Sequence, residues 1–174
     1  MSDPYVAAIL SMRRDKDHAF RDETWSPIED RAGFQGLVYY PVDPALRLRT
    51  RLVRHDHPAP ITLQTSDGQA RTYHNVGHFD VSVDGQPVRI QAYQQPGSEA
   101  LFVPFRDQTS GKETYGAGRY LDVHLEAGDE AEVDLNLAYH PYCAYSEAFS
   151  CPFPPAENWL QVPLRAGERL AQQG

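Results

Sequence analysis

A chain of 174 residues is about one domain's worth and long enough to bury a real core. With 41% apolar and 23% charged residues it is too apolar for a disordered polymer, and a formal charge of −8 weighs against a partner held by phosphate neutralisation, so no nucleic acid is expected. No run approaches the ~18 apolar residues of a membrane span, so no membrane association is expected either.

The chain opens Ser2-Asp3-Pro4-Tyr5, without the basic-then-apolar pattern of a secretory signal, and a cytoplasmic protein is the expectation. Ser2 or Asp3 can cap a helix with Pro4 at its first position, where a missing N–H costs nothing. Tyr5, Ile9, Met12 and Phe20 then fall roughly on one face, which predicts an amphipathic helix laid against a core. Ser26-Pro27-Ile28-Glu29 has the form of a capping box opening a second, short helical turn, ended by Gly33 and Gly36. Residues 1–33 are therefore read as a helical N-terminal segment.

From there the period changes to two. Leu46, Leu48, Thr50 and Leu52 alternate with Arg47, Arg49, Arg51 and Val53, a strand with one wet face. Its arginine row reads as a solvated face that blocks edge pairing, with an anion site as the alternative. Asp67-Gly68 and Asp84-Gly85 are hairpin turns, and Pro96-Gly97 is another. Short strands are expected at 61–65, 71–76, 78–83, 88–93, 100–105, 114–125 and 131–139, with Gly116 and Gly118 marking a bulge or a close backbone approach. Residues 37–139 thus form an antiparallel β core. Residues 140–174 form a proline- and aromatic-rich loop with a final strand near 159–164. The fold class is all-β, an antiparallel barrel or sandwich, with the N-terminal amphipathic helix closing one end or face.

Chemistry concentrates in two stretches. In the first, Arg106, Asp107, Thr109, Ser110, Thr114, Tyr115 and Arg119 surround three glycines, a composition able to clamp an anion or to close a hairpin on itself. In the second, Cys143 and His140 lie close together, so a thiolate–imidazole pair is conceivable, oriented by Asn136 or Glu157. The alternative is a small apolar cysteine packed under tyrosines. Cys143 and Cys151 could close a small disulfide loop, but in a cytoplasmic protein reduced, partly buried thiols are expected. The pairs His55/His57 and His74/His78 suggest a metal only weakly, because Pro58 and Pro60 make the first pair look like an exposed loop and no carboxylate completes a set. No metal site is assigned, and the sequence names no cofactor. Dinucleotide, phosphate-loop and nucleophile-elbow motifs are all missing.

The segments FVPFRDQTSGKETYGAGRYLD, LNLAYHPYCAYSEAFSCPFPPAENWL and VPLRAGE, with YYPVDPALRLRTRLV before them, resemble an uncharacterised bacterial and archaeal family, domain of unknown function 1684. The resemblance covers nearly the whole chain and implies no reaction. It implies where shared polar groups lie: Arg106, Asp107, Thr109, Gly111, Thr114, Tyr115, Gly116, Gly118, Arg119, Tyr120, Asn136, Tyr139, Pro141, Cys143, Cys151, Glu157 and Asn158. His140 stands where the pattern implies asparagine, which weakens it as a family general base.

Polar groups of this kind are costly to bury unpaired, so they form either an internal network or a site. The expectation is a small-molecule-binding domain or enzyme, hydrolysis included, with a polar pocket lined by arginine and tyrosine for a small anionic ligand. Arg106, Thr109, Ser110, Thr114, Tyr115, Arg119, Asn136, Tyr139 and Asn158 would bind the ligand, with Asp107, Glu157 and Cys143 as candidate catalytic groups. Whether it is an enzyme stays open at this point. The alternative is a non-catalytic interaction domain using the C-terminal loop.

Overall fold

The computed structural model describes residues 2–171. Helix α1 (Pro4–Asp22) starts where the cap predicts: the Asp3 side chain accepts the Tyr5 N–H and Pro4 takes the first turn. Ile9 and Phe20 are its buried residues, while Met12 is half exposed. The second helical turn does not form. The Ser26 hydroxyl donates to the Phe20 carbonyl and accepts the Ile28 N–H, tying down the chain after α1, and Glu29 instead accepts a hydrogen bond from Ser146. A capping box needs its glutamate to turn back on its own helix start, and here the carboxylate is engaged elsewhere.

The strands are β1 (Val38–Tyr39), β2 (Arg47–Arg51), β3 (Val53–Gln64), β4 (Ala70–Val83), β5 (Gln86–Gln94), β6 (Leu101–Phe105), β7 (Arg119–Val123), β8 (Glu130–Asp134) and β9 (Glu168–Arg169). They form a five-stranded sheet in the order β3-β4-β5-β6-β7 and two ribbons, β2-β8 and β1-β9, all antiparallel. The sheets stay open and stack like a sandwich, so the barrel alternative is corrected. The expected hairpins are present, with Gly68, Asp84 and Gly85 at positive φ.

Three departures have local causes. The His55–Pro60 stretch is strand rather than loop; prolines are tolerated there because β3 is an edge strand and its register shifts between Arg54 and Ala59. The two strands expected at 71–83 are one, kinked where the register shifts between Asn75 and Gly77; a Cβ at Gly77 would collide with the Val53 carbonyl. Strand β7 begins only at Arg119, because Gly118, at φ 111°, passes directly against the Phe105 carbonyl.

The arginine row of β2 is ion-paired, Arg47 and Arg51 with Glu132 and Glu130 of β8 and Arg49 with Glu126 just before that strand.

The main core lies on one face of the large sheet. Phe79, Ile90, Val103, Phe105, Leu121 and Val123 meet Leu52, Val133 and Leu135 of the β2-β8 side, and Leu160, Val162, Leu164 and Ala166 fill the remainder. The stretch at 159–164 thus enters the core as irregular chain, not as a strand, and the segment is described only to residue 171. A second, smaller cluster of Leu63, Tyr73 and Tyr93, with Ile61 and Phe102 packed against it, sits apart from this core.

Candidate functional site

Strand alternation decides what β7 offers to each side. Arg119, Leu121 and Val123 turn into the main core, whereas Tyr120 and Asp122 line a hollow on the other face. Arg119 is completely buried. Its guanidinium donates to the carbonyls of Ala166 at 2.5 Å, Glu168 at 3.0 Å and Leu164 at 2.7 Å, and lies 3.6 Å from the Asp107 carboxylate. Asp107 in turn accepts the Thr109 hydroxyl and the Leu164 N–H, and the Thr109 and Thr114 hydroxyls bond each other at 2.9 Å. Burial lowers the Arg119 pKa, opposed mainly by Asp107.

The four groups engage one another and fasten the C-terminal segment to the sheet, with only the Arg119 Nε left without a partner among their side-chain nitrogens and oxygens. The anion clamp expected at Arg119, Asp107, Thr109 and Thr114 is therefore corrected to an internal network.

The other expected residues scatter. Arg106 lies over the Trp159 ring, 4.9 Å from its centroid. Ser110 caps the Asp107 turn, and Tyr115 donates its N–H to His140 Nε2. Asn136 ties the start of the chain to β8, accepting the Asp43 N–H and donating to the Asp43 carbonyl and Tyr5 hydroxyl. Asn158 fills a gap in the sheet: β5 and β6 pair only at Tyr93 and Phe102, and Pro104 has no N–H to give. The Asn158 amide accepts the Gln91 N–H and donates to the Gln91 and Pro104 carbonyls. Glu157 points to solvent and meets neither arginine of the expected clamp. Cys143 and Cys151 form a disulfide, so the expected reduced thiols are corrected and Cys143 carries no thiolate in this structure. His55 and His78 rings approach to 5.9 Å, and no group of three or more His, Cys, Asp or Glu side chains converges among the described residues.

The hollow has a volume of about 530 Å³. Its floor is a relay of rings across the sheet: Tyr73 stacks on Phe102 at 5.4 Å, Phe102 meets Tyr120 at 4.7 Å, and Tyr120 meets Tyr139 at 5.8 Å. Its far wall is the disulfide-closed loop, through Tyr142, Phe149 and Cys151. Arg71 stands at the Tyr73 end and Lys16 of α1 at the Tyr139 end, 5.1 Å from that ring's centroid. Among the described residues Arg71 makes one hydrogen bond, Nη2 to the Ser150 carbonyl at 2.7 Å. The Tyr120 hydroxyl donates to the Pro152 carbonyl and the Tyr139 hydroxyl to Asp122, and burial pushes both phenols far up, so they stay protonated donors at neutral pH.

Behind Lys16 lies a buried polar cluster that joins residues from distant parts of the sequence. Lys16 pairs with Glu168, whose carboxylate also accepts the Tyr145 hydroxyl and the His140 N–H. His140 Nε2 accepts the Tyr115 N–H, so its proton sits on Nδ1, facing Tyr145 at 3.4 Å and Glu168 at 3.7 Å. Burial, reinforced by Arg119 and Lys16, pulls the His140 pKa down to about 3, and the ring is neutral. Glu168 closes the VPLRAGE string, and His140 and Tyr145 lie in the LNLAYHPYCAY stretch, but no spacing joined the strings into a cluster.

Residues 32–169 match the model of a family described as "Protein of unknown function (DUF1684)". The chain belongs to that family. An uncharacterised protein of Haloarcula marismortui, whose structure was solved by solution NMR, is 40% identical to it, with a TM-score of 0.73 over 95% of this chain and 94% of that one. No curated protein matches the chain. Three of the family strings, at residues 102–122, 135–160 and 162–168, supply the network and three of the four rings of the cavity floor, so DUF1684 membership marks both without assigning chemistry to either.

Proposed function

We propose that the chain is a small-molecule-binding domain whose ligand is a flat anion, held in the ring-lined hollow rather than at Arg119. The observation that carries this reading is the ring relay from Tyr73 to Tyr139 with a cation at each end. Aromatic walls favour a flat body through offset and edge contacts, at roughly 0.5–1.5 kcal/mol per ring pair. Most of the Arg71 guanidinium's N–H fork is uncommitted to protein acceptors, which suits a planar carboxylate. Lys16 is paired with Glu168 and Asp122 is engaged by Tyr139, which leaves Arg71 as the cation to meet an anion. Of the residues expected from sequence, Tyr139 belongs to this site.

The rival reading, a partner-binding C-terminal loop, draws less support. Leu160, Val162, Leu164 and Ala166 are core residues, so cutting the chain before Tyr139 is expected to unfold it.

The test is calorimetric titration of the full chain with 4-methylbenzoate, and with benzamidine as the flat cation of similar shape. The reading expects 4-methylbenzoate to bind, benzamidine not to, and Arg71→Met to weaken the carboxylate at least about tenfold, the loss of one charge-assisted contact. Equal binding of both probes, or of neither, would overturn it.

A further inference from the structure

A second hollow, of about 410 Å³, lies beneath α1. Ile9, Met12, Arg13 and Lys16 reach it from one face of the helix, at the three- and four-residue spacing that sets side chains in a row. Tyr39, Leu137 and Ala138 belong to its other walls.

The charged groups around this hollow are engaged with the protein, except on one edge of Arg13. Lys16 pairs with Glu168, and Asp122 accepts the Tyr139 hydroxyl. The Arg13 guanidinium lies 4.3 Å from the Tyr39 ring centroid, and its Nη1 donates to the Tyr40 carbonyl. Its Nε and Nη2 are buried without a partner, and so is the hydroxyl of that same Tyr39 ring. Buried donors in native proteins are nearly always matched, so three of them on two touching side chains mark a place suited to an acceptor.

The free edge of Arg13 also defines the acceptor. The N–H bonds of Nε and Nη2 run side by side, the fork that the two oxygens of one carboxylate match. A single unpaired cation suits a monoanion, because Glu168 and Asp122 line the same space and oppose a second negative charge. Ile9, Met12, Leu137 and Ala138 offer carbon to an aliphatic body.

We infer that the second hollow takes a short aliphatic monocarboxylate, with its head group on the Arg13 fork and the Tyr39 hydroxyl and its chain beneath α1. This site is separate from the ring-lined one and does not rest on the reading proposed for it. While the guanidinium lies on the Tyr39 ring the fork has no open surface, so binding includes a turn of the Arg13 side chain. Its one hydrogen bond, from Nη1, leaves the rest of that side chain able to turn.

The experiment is calorimetric titration of the full chain with hexanoate. Hexylammonium and 1-hexanol serve as the cationic and neutral chains of equal length, and inorganic phosphate as an anion without a chain. Hexanoate should bind, with the other three at least about tenfold weaker. Arg13→Met should weaken hexanoate at least about tenfold, and Tyr39→Phe roughly three- to tenfold. The second variant removes a hydroxyl that has no partner, so it is expected to fold even if the first does not. Absence of hexanoate binding, or binding no tighter than that of any control, overturns the inference. So does hexanoate affinity unchanged in every folded variant, which would put the carboxylate elsewhere. None of these results touches the 4-methylbenzoate reading, whose own test turns on Arg71.

Discussion

Residues 119 and 120 are neighbours in the chain and opposites in the molecule. Arg119 enters a face sealed by the C-terminal segment, where three carbonyls and the nearby Asp107 carboxylate engage its terminal nitrogens. Tyr120 enters the other face, roofed only by α1 and the disulfide-closed loop, and becomes part of a cavity floor. The difference teaches that a dense polar motif serves whichever side of the sheet its side chains reach. The same string can hold the fold together with one residue and line a site with the next.

That contrast can be broken by substitution, and the largest effect should come from the sealed side. Arg119→Met removes one partner of a buried charge pair and strands three carbonyls, so urea denaturation should show a loss of roughly 3–5 kcal/mol or no folded protein at all. A stable Arg119→Met chain would mean that the network is not what fastens residues 164–168. Next comes Asn158→Ala, which leaves the Gln91 N–H and the Pro104 carbonyl without partners inside the sheet. It should cost about 2–3 kcal/mol by the same measurement. Faster amide exchange at Gln91 would locate the damage.

The pH dependence sharpens the comparison further. The His140 pKa falls from 6.5 to about 3 on folding, so below pH 6.5 the unfolded chain binds a proton that the native ring refuses. The corresponding stability is complete above pH 6.5 and drains away as the pH falls toward 3, with about 2 kcal/mol lost by pH 5. In His140→Asn this contribution to the slope should disappear, which urea midpoints at pH 7 and pH 5 would reveal. The smallest effect on stability belongs to the open side. Arg71→Met gives up one half-buried hydrogen bond and should cost about 1 kcal/mol or less by denaturation, even though it weakens carboxylate binding.

Much of the fold was legible because local chemistry dictates it. Asp3-Pro4 starts the helix, Asp67-Gly68 and Asp84-Gly85 turn the hairpins, and Gly118 marks a close approach that its missing Cβ permits. The Ser26-to-Glu29 turn misled, since its hydroxyl and carboxylate found partners at Phe20 and Ser146. The site was legible only in part. Alternation along 119–123 implies that Arg119 and Tyr120 face apart, but it does not say which side the segment at 160–168 will cover. Lys16 and Glu168 meet across 152 residues of sequence, and no spacing rule joins a helix residue at one end of a chain to the last short strand at the other. Tyr139 was picked out for its polar string, and its role in the cavity depends on the ring pairs it makes once folded.

The most direct measurement is a two-dimensional NMR titration of the uniformly labelled chain with 4-methylbenzoate. Binding in the hollow predicts concentration-dependent shifts at Arg71, Tyr73, Phe102, Tyr120 and Tyr139, with Asp107, Thr109 and Thr114 unmoved. Shifts centred on the Asp107–Arg119 network, or a spectrum that the carboxylate leaves unchanged, would contradict it.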